Sequence, residues 1–247
     1  MKTIKSIVGS VALLASATAF ATPVSLGGEN PDLQTVINNL YTAGGTSTAL
    51  APNVNTNQAG EVGQFKIEAS GGSIATMIIE VAGNAGTNTF GIYDVNDPTR
   101  YLQLFAGGQG AGNQATLSVN DSFLFEVNMG FGGSKTFTSA AFGYYIGNAN
   151  GPIFYSQAFR NGGNDQMVAF RGDEDKIKLP TRPIGVWGPS SYILAWEDQS
   201  VPNSDRDYQD MVVYVESITP VPEPTTTALL GLAGLGLALS RRRKQAS

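Results

Sequence analysis

Tyr192-Ile193-Leu194-Ala195-Trp196 and Met211-Val212-Val213-Tyr214-Val215 are two apolar runs of five residues each, and the chain between them is strongly acidic. A short apolar run bounded by turn formers reads as a buried strand, because it is too short for a helix. The β-branched and aromatic content of both runs agrees with that reading. Working outward from them, similar short runs fall between Gly, Asn, Asp and Pro clusters. Towards the N-terminus they lie near Phe65–Ala69, Ile74–Val81, Thr89–Asp94, Tyr101–Phe105, Ala115–Val119 and Ser122–Val127. Nearer the acidic stretch they lie at Lys135–Thr138, Ala140–Ile146, Ile153–Ser156, Gln166–Phe170 and Ile184–Trp187, and the last apolar run extends to Ile218. Strands repeating at roughly 8–12-residue spacing, without helices between them, predict an all-β chain. The expected architecture is a single antiparallel β-sandwich or jelly-roll-like domain over residues 63–218.

One short helix precedes it, in an N-terminal segment over residues 22–62. Asn30 can cap this helix and Pro31 suits its first position. Leu33, Val36, Ile37 and Leu40 recur at helical spacing, and Gly44-Gly45 ends it. The loop Gly107-Gly108-Gln109-Gly110-Ala111-Gly112-Asn113 lacks the following helix and the Lys of a phosphate-binding loop. It also lacks the repetition of a calcium-binding glycine nonapeptide, so it reads as a hairpin loop.

Both ends of the chain read as addresses. Lys2 and Lys5 are followed by an apolar stretch from Ile7 to Ala19. Ala19-Phe20-Ala21 then fits a small-x-small cleavage site, so residues 1–21 read as a signal peptide cut after Ala21. At the other end, residues 219–224 read as a stiff Pro-rich linker. Pro222-Glu223-Pro224 leads into an apolar helix over residues 225–240 and a basic end, Arg241-Arg242-Arg243-Lys244. Such a helix is roughly 24 Å long, marginal for a bilayer core of about 30 Å. The basic end stays cytoplasmic and the domain faces outward.

These residues resemble the PEP-CTERM sorting signal of Gram-negative bacteria: Pro-Glu-Pro, a short apolar helix and an Arg-rich end, in that order. The resemblance spans residues 219–247. It implies recognition and cleavage by an exosortase-type sorting protease. The protein would be held transiently in the inner membrane by its C-terminal helix, then delivered to the cell surface or an exopolysaccharide matrix.

Composition bounds the chemistry. The chain has no Cys and no His, so neither Ser-His-Asp nor Cys-His catalysis can be built. Ordinary structural zinc sites are missing as well. Charged residues make up 14% of the chain, well below the usual level of about 25%. Lys2, Lys5, Arg241, Arg242, Arg243 and Lys244 are six of the 15 basic residues, and the two ends that hold them carry no acid. The stretch between them therefore sets nine basic residues against all 20 acidic ones, a formal charge of −11. Nucleic acid and anionic lipid are poor partners for such a domain. A cation is a plausible one.

The densest constellation is Trp196-Glu197-Asp198-Gln199 followed by Asp205-Arg206-Asp207-Tyr208-Gln209-Asp210. Calcium takes six to eight oxygens, mostly from carboxylates, carbonyls and water. Asp205, Asp207 and Asp210 are spaced so that a turn could point all three inward, with Glu197 or Asp198 closing the shell. Gln199 and Gln209 offer neutral oxygens. Three readings stand: a structural calcium site, a hydrogen-bonded turn with Arg206 paired, and a catalytic carboxylate pair. Asp94-Val95-Asn96-Asp97-Pro98 reads as a turn, and Asp173-Glu174-Asp175 as a solvated loop.

The acidic segment and its flanking strands also resemble a family, the domain of unknown function DUF 4114. Members commonly end in Glu-Asp, a spacer and Asp-x-Asp-Tyr-Asn-Asp before a last strand. Phe90-Gly91-Ile92-Tyr93-Asp94 and Phe154-Tyr155-Ser156-Gln157 are consistent with it. Gln209 departs from the pattern, standing where Asn is usual. The resemblance implies a β domain and no established activity.

The function expected from these residues is that of an exported, non-enzymatic surface or matrix protein with a calcium-binding turn. A carbohydrate-binding module is the alternative, with Trp187, Trp196, Tyr144, Tyr145 and Tyr155 as a stacking face for exopolysaccharide or surface glycans. A secreted glycosidase would instead need two carboxylates facing a groove about 5 Å or 6.5–9.5 Å apart.

Overall fold

Alternation along a strand decides which residues face the interior, and in this chain the alternation runs between two interiors. The computed structural model describes residue 26 and residues 31–42, 51–60, 62–68, 72–80, 86–148 and 151–222. One α-helix, α1 (Leu33–Thr42), is followed by β1 (Phe65–Ile67), β2 (Ser73–Glu80), β3 (Asn88–Asp94), β4 (Asp97–Phe105), β5 (Gln114–Val119), β6 (Leu124–Met129) and β7 (Gly133–Thr136). Next come β8 (Phe142–Asn148), β9 (Ile153–Tyr155), β10 (Met167–Arg171), β11 (Asp175–Lys178), β12 (Ile184–Trp187), β13 (Tyr192–Trp196), β14 (Met211–Val215) and β15 (Ile218–Pro220). The first sheet has the order β15-β1-β8-β3-β4, with β9 also on β8, and the second has the order β10-β13-β14-β2-β5-β6-β7. β11 and β12 form a separate hairpin. The pairings are antiparallel, as in the expected sandwich.

The two sheets face each other across one core. Tyr192, Leu194 and Trp196 of β13 point into it, as do Met211, Val213 and Val215 of β14 and Phe90 and Ile92 of β3. The intervening residues of the second sheet, Ile193, Ala195, Val212 and Tyr214, point the other way into a second core. α1 covers that side with Leu33, Val36, Ile37 and Leu40, the four positions predicted from helical spacing. Strands buried on both faces read as continuous apolar runs, which is why β13 and β14 stand out in the sequence. The molecule is thus a sandwich with a third layer, formed by α1 and the β11–β12 hairpin, over part of the second sheet.

Several boundaries differ from the sequence reading. Asp32 caps α1: its Oδ1 accepts the Thr35 N–H at 2.6 Å, and the Thr35 hydroxyl together with that N–H holds the Asp32 carboxyl below its ordinary pKa, while Asn30, the expected cap, lies outside the described residues. The expected last strand splits in two. β14 lies in the second sheet and β15 in the first, with Ser217 at φ 59° making the crossing. The segment read as a linker therefore begins with strand residues, Thr219 and Pro220, paired to Lys66 and Phe65. Asp175–Lys178, read as part of a solvated region, is strand β11, with Ile177 buried and both lysines exposed. The glycine-rich loop at 107–113 passes from the first sheet to the second instead of closing a hairpin. The segments read as signal peptide (1–21) and apolar helix (225–240) lie outside the described residues. Among the described residues, no helix is long and apolar enough to cross a membrane.

Candidate metal centre

β13 and β14 pair with Trp196 opposite Met211, so Glu197 and Asp210 flank the same end of the ladder. The connection between them is pinned from β10's side. Gln166 is buried; its Oε1 accepts the Val201 N–H at 2.7 Å and its Nε2 donates to the Gln199 carbonyl at 2.6 Å. A short 3-10 turn, Val201–Asn203, follows. Arg206 (φ 62°) and Tyr208 (φ 54°) then adopt left-handed backbone, a conformation that costs L-residues other than Gly about 1–2 kcal/mol each. Tyr208 is buried, and its hydroxyl donates to the Asp165 carbonyl. Its N–H donates to Glu197 Oε1 at 2.9 Å.

This path brings three of the five candidate ligands together. One carboxylate oxygen each from Glu197, Asp207 and Asp210 lie within 4.8 Å of one another. Glu197 and Asp207 are buried and Asp210 half-buried. Asp198 is buried beside them; its N–H donates to Asp210 Oδ2 at 2.8 Å, while its Oδ2 accepts from Asn88 Nδ2 at 2.9 Å. Asp205 is exposed and lies outside the group. Gln199 is exposed, and only its backbone carbonyl takes part, through Gln166. Gln209 is buried, with its Nε2 on Asp207 Oδ2 at 2.8 Å and its N–H on Asp207 Oδ1 at 3.2 Å.

The electrostatics favour a cation. Two unit charges about 5 Å apart repel by about 3 kcal/mol at an effective dielectric of 20. Arg206 is exposed and makes no ion pair with any of the three acids. Burial raises the pKa of Glu197; the Tyr208 N–H and the nearby Ser204 hydroxyl oppose that shift, and Asp207 adds to it. Burial likewise pushes the Asp210 carboxyl up to about 8, assisted by the charges of Asp198, Glu197 and Asp207.

A second observation points the same way. Glu197 Oε2, Gln209 Oε1 and Asn88 Oδ1 are buried and accept no hydrogen bond, and each of these residues is at most 1% exposed. Buried acceptors are normally satisfied. The unfilled oxygens of Glu197, a member of the carboxylate group, and of Gln209, which is hydrogen-bonded to Asp207, are the kind a hard cation takes up. Trp196 Nε1 is also buried without a partner, and as a donor it gains nothing from a cation.

The sequence reading did not single out Asn88. Its signal was present: Asn88 is in phase with Phe90 and Ile92, so a polar side chain occupies an interior position of β3.

The other proposed sites fare differently. Trp187, Trp196, Tyr144 and Tyr145 are buried in the cores and Tyr155 half-buried, so these rings present no joint stacking face. The Glu197, Asp207 and Asp210 group is too enclosed to flank a sugar ring. One carboxylate pair does line a groove: Asp173 and Asp175, with Tyr41, Asn57 and Arg171, border an open space of about 510 Å³. The Tyr41 hydroxyl donates to Asp175 Oδ2 at 3.0 Å. Of the sorting residues, Pro222 is described and its carbonyl accepts from Gln64 Nε2 at 2.9 Å. Ala21, Glu223, Pro224, Arg241, Arg242 and Arg243 lie outside the described residues.

Residues 134–218 match a family described as domain of unknown function (DUF4114), and residues 220–244 match the PEP-CTERM protein-sorting motif. The first match contains the whole acidic connection and both flanking strands. No curated protein matches the chain. Among solved structures, the lectin CV2L of Chromobacterium violaceum, in complex with alpha-methyl-fucoside, is similar over 65% of this chain and 97% of its own, at 15% identity and a TM-score of 0.29.

Proposed function

We propose that this chain, which ends in a PEP-CTERM sorting motif, is an exported, exosortase-processed and non-enzymatic surface or matrix protein whose β domain is locked by calcium. The motif supports export and transient membrane anchoring in a Gram-negative bacterium. The observation that carries the calcium reading is the enclosed group of Glu197, Asp207 and Asp210, with unfilled acceptors on Glu197 and Gln209. Calcium suits it better than magnesium, which keeps several of its waters and demands near-octahedral geometry. The ion's part is structural: it neutralises the carboxylates and fastens the 197–211 connection to β13 and β14.

Thermal melting of the full chain tests this. Calcium at about 100 times its dissociation constant adds roughly 2.7 kcal/mol, which for a protein of this size raises Tm by roughly 5–10 °C over the chelated sample. Equal melting temperatures in calcium and in chelator would sink the reading.

Saccharide binding is the second reading, and the groove beside Asp173 and Asp175 favours it. It offers carboxylate acceptors alongside Asn57 and Arg171 donors, the polar chemistry that sugar hydroxyls use. A glycan array comparing the native chain with Asp173→Ala tests it. Loss of a bound glycan in the variant supports the groove, and the absence of any bound glycan discards it.

A further inference from the structure

Asn88 begins β3 of the first sheet, yet its side chain reaches the acidic connection of the second. It lies on the same face of β3 as Phe90 and Ile92, because side chains two apart share a face. That face looks across the core. Phe90 meets Trp196 edge-on there, with ring centroids 6.1 Å apart. One step further along both strands, Asn88 Nδ2 donates to Asp198 Oδ2 at 2.9 Å. Two successive interior residues of the first sheet thus engage Trp196 and Asp198 of the second.

The contact at Asn88 does not end at Asp198. The Asp198 N–H holds Asp210 Oδ2 at 2.8 Å, and Asp210 belongs to the carboxylate group. Asn88 is therefore linked through Asp198 to a proposed ligand. Its own Oδ1 is buried without a hydrogen bond, as are Glu197 Oε2 and Gln209 Oε1. An Asn needed only as a donor to Asp198 leaves that oxygen unexplained. An Asn that also faces a cation's surroundings accounts for both ends of its amide.

We propose that the cation bound by Glu197, Asp207 and Asp210 is gripped from the first sheet as well, through Asn88, and so clamps the two sheets of the sandwich together at this end. The inference rests on the calcium reading above. Asn88 acts as a positioning residue: it orients Asp198 and thereby Asp210. Calcium concentration then governs how firmly β3 is docked on the second sheet, and the domain is tightest where calcium is plentiful.

Hydrogen exchange on the full chain, with and without calcium, tests the clamp. Calcium should slow exchange in the 197–211 connection and also at the start of β3, 110 residues away from Asp198 in sequence. Asn88→Leu should lower calcium affinity about tenfold or more, the usual effect of removing a group that orients a ligand. It should also erase the protection at β3. A merely structural asparagine would instead lower the melting temperature of the metal-free protein and leave the calcium-induced shift intact. Protection confined to the connection, with unchanged affinity in Asn88→Leu, overturns the clamp and leaves the calcium reading standing. Protection in neither place overturns both. The wild-type exchange pattern decides the matter even if the variant fails to fold.

Discussion

Among the described residues, no cation pairs with the buried Glu197 or the half-buried Asp210, so the charge of these two carboxyls must be met by protons or by a metal ion. The two solutions respond to pH in opposite ways. Without metal, the folded Asp210 titrates at about 8 against an ordinary value of 3.8, and Glu197 is raised too. Between those values the folded chain holds more protons than the unfolded one, so stability falls as pH rises. Calcium displaces those protons, and its apparent affinity rises with pH. The chelated protein should melt at a lower temperature near pH 8 than near pH 5, and calcium should flatten or reverse that slope. A flat profile in chelator would contradict the assigned burial of these carboxyls. Substitutions should separate the acids by position. Asp207→Asn should weaken calcium binding by at least about tenfold. Asp205→Asn should change it by no more than about twofold, since surface substitutions are usually within 0.5 kcal/mol. Equal losses in both, measured by calorimetric titration, would mean that the exposed Asp205 is a ligand after all.

At the scale of elements, the switch of the chain from β14 to β15 depends on one residue. Ser217 holds φ 59°, and its carbonyl accepts the Glu68 N–H at 2.8 Å. A left-handed non-glycine residue costs about 1–2 kcal/mol. Ser217→Gly should therefore stabilise the protein by up to about 1 kcal/mol, offset in part by the extra freedom of the unfolded chain. Ser217→Val should destabilise it, because branching at Cβ disfavours positive φ. Urea midpoints for the two variants check this, and a less stable glycine variant would contradict it. α1 is held by packing: Ile37 is fully buried against the second sheet. Ile37→Ala should cost roughly 2–5 kcal/mol, the range for a buried Ile truncation, and an effect under about 0.5 kcal/mol would show that the helix does not need its layer.

For the whole molecule, the charge distribution and the sorting motif act together. The two ends carry six of the 15 basic residues, so a chain processed at both ends would be a strongly acidic domain, suited to the proposed calcium site. If the motif directs processing, replacing Arg241, Arg242 and Arg243 with Gln should leave an uncleaved chain in the membrane fraction. Immunoblots of fractionated cells would reveal it, and normal release would remove the basic end from the sorting mechanism.

The all-β class, the helical face of α1 and the acidic connection were all legible in the sequence. Each is a local pattern: period two or continuous apolarity for strands, spacings of three and four for a helix, and carboxylates clustered between two strands. The third layer was less legible. A run such as Tyr192–Trp196 announces burial on both faces but not what covers them, and the charged Lys176 and Lys178 concealed the strand around Ile177. Only the tertiary structure decided which acids meet. Glu197 and Asp207 lie ten residues apart and converge because left-handed backbone at Arg206 and Tyr208 folds the connection back, while neighbouring Asp205 stays in solvent. Asn88 joins them from another sheet, through a contact no local pattern encodes. Composition and periodicity act between near neighbours. Whether a carboxylate is buried, and beside what, depends on how distant strands pack.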